Sequence, residues 1–361
     1  MANVCQKCGK NPANVHLKQV INGKVHEEFL CSQCASVNGK GFGFGFDMGT
    51  ESIFDSLFSG SASASVRNRR SCPICGATAR DINGSGRAGC AKFYEVFRED
   101  MIGWTKMIRA YPYKEYAIQS FDGLTLRAKF FEYKPGAPIE LMFHGYRGNA
   151  ERDLSGGVER CFKLGHSALL IDHRGSGFSD GNTITFGILE KRDALRWVDF
   201  AVREFGEDAT LILTGISMGG ATVLMMAGEE LPPQIKYVLA DCGFTSSKEI
   251  ISKVMRDLKV PPALLYPCAS LGARLFGHFD LGECSPLEAM GRCKLPVVFA
   301  HGDADAFVPY DMSVRLCEAC TGRHKKLITI HGAGHGLAFP VARDEYVEAL
   351  AEFKRECGFD F

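Results

Sequence analysis

Leu211-Ile212-Leu213-Thr214-Gly215-Ile216-Ser217-Met218-Gly219 decides the fold. An apolar run of strand length ends in Gly-x-Ser-x-Gly, which reads as strand, tight turn, helix. A serine hydroxyl is a poor nucleophile at neutral pH. It needs a base within reach, a turn that lifts it clear of the backbone, and a pair of donors for the oxyanion. Gly215 and Gly219 stand two residues before and two after Ser217, where a side chain would meet the neighbouring strand or helix. Ser217 is therefore the candidate nucleophile.

Working outward, the run Leu295–Ala300 ends in His301-Gly302-Asp303-Ala304-Asp305, and the run Leu327–Ile330 ends in His331-Gly332-Ala333-Gly334-His335. An acid after one strand and a histidine after the next is the order that a Ser, acid, His triad requires. The carboxylate orients the imidazole, which takes the serine proton and returns it to the leaving group. Asp303 and Asp305 compete as the acid, and His331 and His335 as the base. The assignment is Asp305 and His335. One oxyanion donor is the N–H of Met218, directly after the nucleophile. The second belongs after an early strand, and Ile139–Phe143 followed by His144-Gly145-Tyr146-Arg147-Gly148 fits that place.

Further strand-like runs are Leu124–Tyr133, Ala168–Asp172 and Tyr237–Ala240, with helical segments between them. Such alternation predicts a mostly parallel sheet with helices on both faces and the reactive loops at the carboxyl ends of the strands. Leu124–Tyr133, preceded by Phe121-Asp122-Gly123, reads as the second arm of an antiparallel hairpin at the sheet edge. Residues 243–292 interrupt the alternation.

From about residue 115 to about residue 356 the chain resembles the α/β-hydrolase superfamily, in particular its intracellular esterase-like branch. The resemblance implies an α/β-hydrolase fold over residues 110–361 with a small cap at 243–292. It places the acid at the last position of H-G-x-x-D, which is Asp305, and the base in the G-x-G-H turn, which is His335. It makes Tyr146 the second oxyanion donor. Asp172-His173-Arg174-Gly175-Ser176-Gly177-Phe178-Ser179 is similar to a Gly-rich loop of that superfamily and reads as architecture, with Asp172 and Arg174 as a structural pair joined by Glu190 or Asp193. A cap containing Val260–Tyr266 and Leu271–Phe279 would wall Ser217 with Leu, Tyr, Phe and Pro; the alternative is a pair of ordinary packing helices. The implied activity is that of a carboxylesterase- or lipase-like serine hydrolase on a small acyl ester or thioester. A peptidase or amidase is the same-site variant, and neither needs a catalytic cofactor.

Seven of the fifteen cysteines lie within residues 1–98. Cys5-Gln-Lys-Cys8 and Cys31-Ser-Gln-Cys34, with 22 residues between them, can close a tetrahedral structural zinc site with no open position. Between them Val15–His26 alternates around Asn22-Gly23, a hairpin signal. Residues 1–38 thus read as a zinc ribbon. Residues 39–70 read as a Gly/Ser-rich linker, and residues 71–98 as a second cluster with Cys72, Cys75 and Cys90 as candidate ligands. Phe93 stands where a fourth cysteine belongs. Both stretches resemble McsA-type zinc-binding activators of bacterial protein-arginine kinase. That implies a module for docking a protein partner, or for stability, although a hydrolase-like segment follows where that family has a coiled one. Cys317-x-x-Cys320 reads as helix packing, and Cys161, Cys242 and Cys268 as small core residues.

Lysine plus arginine equals aspartate plus glutamate at 42 each, so no global field argues for nucleic acid or an anionic membrane. No apolar run reaches membrane-spanning length. The amino terminus lacks an apolar signal region, and the odd number of dispersed cysteines suits reduced thiols, so a cytoplasmic location is expected. The rival from another class is a zinc-dependent adaptor that keeps the hydrolase fold as a scaffold.

Overall fold

Polar and apolar residues alternating about Asn22-Gly23 call for a hairpin, and one forms. β1 (Val15–Ile21) pairs antiparallel with β2 (Lys24–Leu30), Ile21 facing Lys24 at the closed end and Val15 facing Leu30 at the open end. In the computed structural model residue 6, the backbone of 15–21 and 24–30, residue 105 and residues 107–361 are described. Cys5, Cys8, Cys31, Cys34, Cys72, Cys75 and Cys90 lie outside them. The chain divides into two compact units, Met1–Ile53, which holds the hairpin, and Phe54–Phe361.

The second unit is built on an eight-stranded sheet. Its strands are β3 (Lys114–Gln119), β4 (Thr125–Phe131), β5 (Ile139–Phe143), β6 (Ser167–Ile171), β7 (Leu211–Ile216), β8 (Ile235–Asp241), β9 (Val297–Gly302) and β10 (Lys325–Ile330). The spatial order is β10-β9-β8-β7-β5-β6-β4-β3. Strands β5 to β10 run parallel, and β3 and β4 form the antiparallel hairpin at one edge. β5, β6 and β9 are buried along their whole length, as strands covered on both faces must be.

Side chains alternate between the two faces. Leu141, Phe143, Leu169, Ile171, Leu211 and Leu213 join one core with Trp197 and Val198 of α2 (Ile188–Phe205) and Val223 and Leu224 of α3 (Met218–Met226). On the other face Met142 and Leu170 meet Leu154, Val158 and Cys161 of α1 (Ala150–Lys163), while Ile212, Leu239 and Val298 meet Tyr346, Leu350 and Phe353 of α9 (Arg343–Glu356). Between β8 and β9 come α4 (Ser247–Asp257), α5 (Pro262–Phe276) and α6 (Pro286–Met290). α7 (Tyr310–Ala319) links β9 to β10, and α8 (Ala338–Val341) precedes α9. Among the described residues no helix is long and apolar enough to cross a membrane.

One polar group sits inside the apolar run of β5. Glu140 is fully buried and accepts hydrogen bonds from Arg160, from His166 Nδ1 at 2.9 Å and from Thr214 Oγ1 at 2.8 Å. Burial opposes ionisation here, yet the Arg160 guanidinium and His166 outweigh it and hold the carboxyl well below the usual carboxylate range. Lys354 Nζ donates to His166 Nε2 at 2.9 Å, which ties α9 to β5 through this chain of partners.

Two expectations need correction. Asp172 does not pair with Arg174. Its two oxygens accept from the backbone N–H groups of Ala150 at 2.8 Å and Phe178 at 3.0 Å, pinning the loop after β6 to the start of α1. Arg174 instead makes a bidentate pair with Asp193 of α2 at 2.6 and 2.8 Å and a second one with Asp122. Glu190 serves elsewhere, accepting from Thr185 and Gly187 at the start of α2. Cys268 is exposed, unlike the buried Cys161 and Cys242, because α5 buries none of its residues.

Candidate active site

β7 delivers Ser217 at the centre of the sheet. The strand ends there, and α3 starts at the next residue. Ser217 takes φ 55° and ψ −114°, a conformation that non-glycine residues rarely adopt. The turn is held by Ser217 N–H donating to the Asp241 carbonyl at 2.8 Å and by Ala221 N–H donating to the Ser217 carbonyl at 2.9 Å. Both flanking glycines are obligatory. A Cβ on Gly215 would lie 2.1 Å from the Gly219 carbonyl oxygen, and one on Gly219 would lie 2.1 Å from that of Phe143.

The loops after β9 and β10 bring in the other two groups. His335 Nε2 is 2.9 Å from Ser217 Oγ, and His335 Nδ1 is 2.7 Å from Asp305 Oδ2. An ionised carboxylate can only accept, so Nδ1 carries the proton and Nε2 is left to accept from the serine hydroxyl. Asp305 has four donors in all. Oδ1 takes the N–H groups of Phe307 and Val308 at 2.8 and 2.9 Å, while Oδ2 takes His335 and, at 3.1 Å, His301 Nε2. Burial would raise this carboxyl; His335 beside it and the hydrogen bonds from His301 and His335 outweigh burial and hold it well below the usual range. Phe307 stands edge-on to the His335 ring at 5.0 Å.

Sequence reasoning passed over His301. It is fully buried, donates from Nε2 to Asp305 and to the Val308 carbonyl at 3.0 Å, and accepts at Nδ1 from the Ser313 hydroxyl at 2.6 Å. The only signal was its place four residues before the acid. The two competing residues, Asp303 and His331, pair with each other. His331 Nδ1 and Gly332 N–H donate to Asp303 at 2.7 and 2.6 Å on the surface. His331 therefore bonds to a side chain and not to backbone as expected, and that hydrogen bond raises its pKa.

The loop after β5 lies against the serine. A Cβ on Gly145 would meet Ser217 Cβ at 3.4 Å, an ordinary contact. His144 is buried, accepts at Nε2 from His173 N–H at 3.1 Å and donates from Nδ1 to the Gly145 carbonyl at 2.8 Å. That carbonyl belongs to the peptide whose N–H is Tyr146's. Met218 opens α3, where first-turn N–H groups have no acceptor within the helix.

α4 supplies the wall. Ile250, with Ile251 and Val254, packs with Met218, Phe307, Val308, Tyr146 and Phe186. The expected wall of Leu, Tyr, Phe and Pro is thus mostly elsewhere: of Val260–Tyr266 and Leu271–Phe279, only Tyr266, Ala273 and Phe279 pack inward, against Ile188 and Met225. A separate cavity of about 810 Å³, lined by Ile108, Tyr113, Lys129, Phe131 and Phe178 beside β4, includes none of Ser217, Asp305 and His335.

Cys242 follows β8, and its Sγ, an Asp305 oxygen and a His335 nitrogen lie within 4.8 Å of one another, a metal-type donor set among the described residues. The set suits a metal poorly. Burial pushes the Cys242 thiol well above its ordinary value, and Asp305 and His335 are committed to each other.

The prolyl oligopeptidase family model matches residues 161–358, more than half of the chain, from α1 through α9. The chain belongs to the prolyl oligopeptidase family. This family member is 29% identical over 191 residues to the uncharacterized protein YqkD of Bacillus subtilis, a match covering 53% of this chain and 62% of that protein. It is 30% identical over 111 residues to the protein-arginine kinase activator protein of Bacillus subtilis, covering 27% of this chain and 59% of that protein. The chain thus spans about three fifths of each of these relatives. Among solved structures, the Pyrococcus furiosus esterase Pf2001 superposes with a TM-score of 0.57 at 21% identity, over 70% of this chain and 96% of that one. This likeness to Pf2001 is one of fold: the prolyl oligopeptidase family member is an α/β hydrolase.

Proposed function

We propose that the protein is a serine hydrolase that cleaves an ester, thioester or related acyl bond through an acyl-enzyme. The observation that carries this reading is the pair of contacts at His335, 2.9 Å to Ser217 Oγ and 2.7 Å to Asp305 Oδ2. Ser217 Oγ attacks the carbonyl carbon as its proton passes to His335 Nε2. Asp305 stays ionised and stabilises the resulting imidazolium. The N–H groups of Met218 and Tyr146 receive the oxyanion. Collapse expels the alcohol or thiol with the proton from His335. Water, deprotonated by the same imidazole, then releases the acid.

The wall of Ile250, Ile251, Val254 and Phe307 supports an aliphatic acyl group as substrate. On a panel of p-nitrophenyl esters, kcat/KM is expected to rise roughly fourfold per added methylene until the wall is filled. Membership of the prolyl oligopeptidase family favours a second reading, a peptidase or amidase using the same three residues. A blocked prolyl amide in the same panel separates the two: faster turnover of the amide than of every ester would replace the acyl-ester reading.

For the amino-terminal unit we propose a structural zinc held by Cys5, Cys8, Cys31 and Cys34, serving stability or a protein partner. The register supports it, since Val15 and Leu30, the strand ends nearest in sequence to the two cysteine pairs, face each other. Four thiolates leave no open position, so the metal takes no part in acyl transfer. Reduced protein is expected to hold about one zinc per chain and to lose it in Cys31→Ser; zinc content unchanged by that substitution would remove the site. Cys72, Cys75 and Cys90 remain candidate ligands of a second site.

A further inference from the structure

α5 is an anomaly on the surface of this protein. Fifteen residues long, it buries none of them. Leu264 is 68% exposed, Leu271 57%, Leu275 59% and Phe276 85%, and Leu258 at the turn before it is also exposed. Its apolar attachments to the body are Tyr266 and Ala273. Its single charge, Arg274, is matched by Asp280 at 2.7 Å. Contiguous exposed apolar surface on this scale marks an interaction face.

Charge identifies what covers it. From Ser247 to Phe276 five cations stand against two carboxylates, a local net charge of +3 in a chain of formal net charge zero. Lys253 is paired with Asp257. Among the described residues, Lys248, Arg256 and Lys259 make no ion pair, and all three are exposed. Apolar side chains rimmed by cations without a carboxylate partner are what a bilayer with anionic headgroups takes up: the former enter the acyl boundary and the latter meet phosphate. A second copy of the same face would instead bring the same three cations against their own likeness across a two-fold axis.

We propose that α5 and the turn Leu258–Pro261 dock onto an anionic lipid surface, with α5 lying in the plane of the interface. Docking is a property of this face and does not depend on hydrolysis, so it stands or falls apart from the catalytic reading. α4 carries both the cations Lys248, Lys253 and Arg256 and the wall residues Ile250, Ile251 and Val254 beside Ser217, so the docked face and the candidate site share one helix.

The test is co-sedimentation of the full chain with phosphatidylcholine vesicles, with and without about 30% phosphatidylglycerol. Binding is expected to be at least about tenfold tighter to the anionic vesicles and to weaken as salt rises. Lys259→Glu should cost about fivefold or more. Leu264→Asp combined with Leu271→Asp should abolish binding while the circular dichroism melt is kept, since both side chains are exposed. Equal binding by the double variant, or no preference for anionic vesicles, overturns the proposal. So does a dimer seen by light scattering that the double variant dissolves in the absence of any vesicle binding, which would make the face a contact between copies.

Discussion

Ser217→Ala is expected to lower kcat on a short acyl ester by about a millionfold, leaving only the residual rate that binding and the oxyanion donors supply. The size follows from what the hydroxyl does: without it no acyl-enzyme forms, and His335 loses the nucleophile whose proton it takes. The fold should be nearly indifferent, because alanine can occupy the same backbone conformation and the Ser217 hydroxyl's contact with His335 is the interaction removed. A fluorophosphonate probe gives the matching covalent readout. The wild type should label and the variant should not. Absence of labelling in the wild type, with protein folded by its melt, would sink the catalytic reading and leave the adaptor.

Asp305→Asn is expected to lower kcat by about ten-thousandfold. All four acceptor positions of this carboxylate face N–H groups: two from Phe307 and Val308, one each from His301 and His335. An asparagine NH₂ must therefore oppose a donor. Turned toward the histidines, it favours the His335 tautomer with the proton on Nε2, which points a donor at Ser217 and removes the base. Turned the other way, it leaves two backbone N–H groups buried without acceptors, at about 1–3 kcal/mol each. Asp303→Asn touches the surface contacts with His331 and the Gly332 N–H and should leave kcat within about twofold, the usual effect of exposed polar contacts being small. Steady-state kinetics on the two variants decides between the acids; equal loss in both would mean that the assignment is wrong.

The parts of this fold legible in sequence are those where one local rule governs. Ile139–Phe143 is found as read, and Leu211–Thr214 is extended only to Ile216, because strands buried on both faces are mostly apolar along their length. Gly215 and Gly219 were readable because backbone oxygens stand where their side chains would be. Strand order called for an acid after β9 and a histidine after β10, and the superfamily resemblance favoured Asp305 over Asp303 and His335 over His331. What stayed hidden depends on contacts distant in sequence. Arg174 looks like a partner for Asp172 two residues away, but it reaches Asp122 and Asp193, while Asp172 spends both oxygens on backbone. Glu140 breaks an apolar run for partners on α1, β7 and the loop before β6. His301 reads as a strand-end residue until Asp305 folds back on it. α5 has the composition of a core helix and lies outside, which no periodicity in its sequence announces.

The nucleophile grows from β7, flanked by β5 and β8, while the imidazole hangs from β10, which pairs with β9 alone at the end of the row. Margins of a sheet open at lower free energy than its middle. On the proposed catalytic reading, fraying at that margin would part base from hydroxyl while the interior is still intact, so turnover is expected to fade on heating below the midpoint of global unfolding.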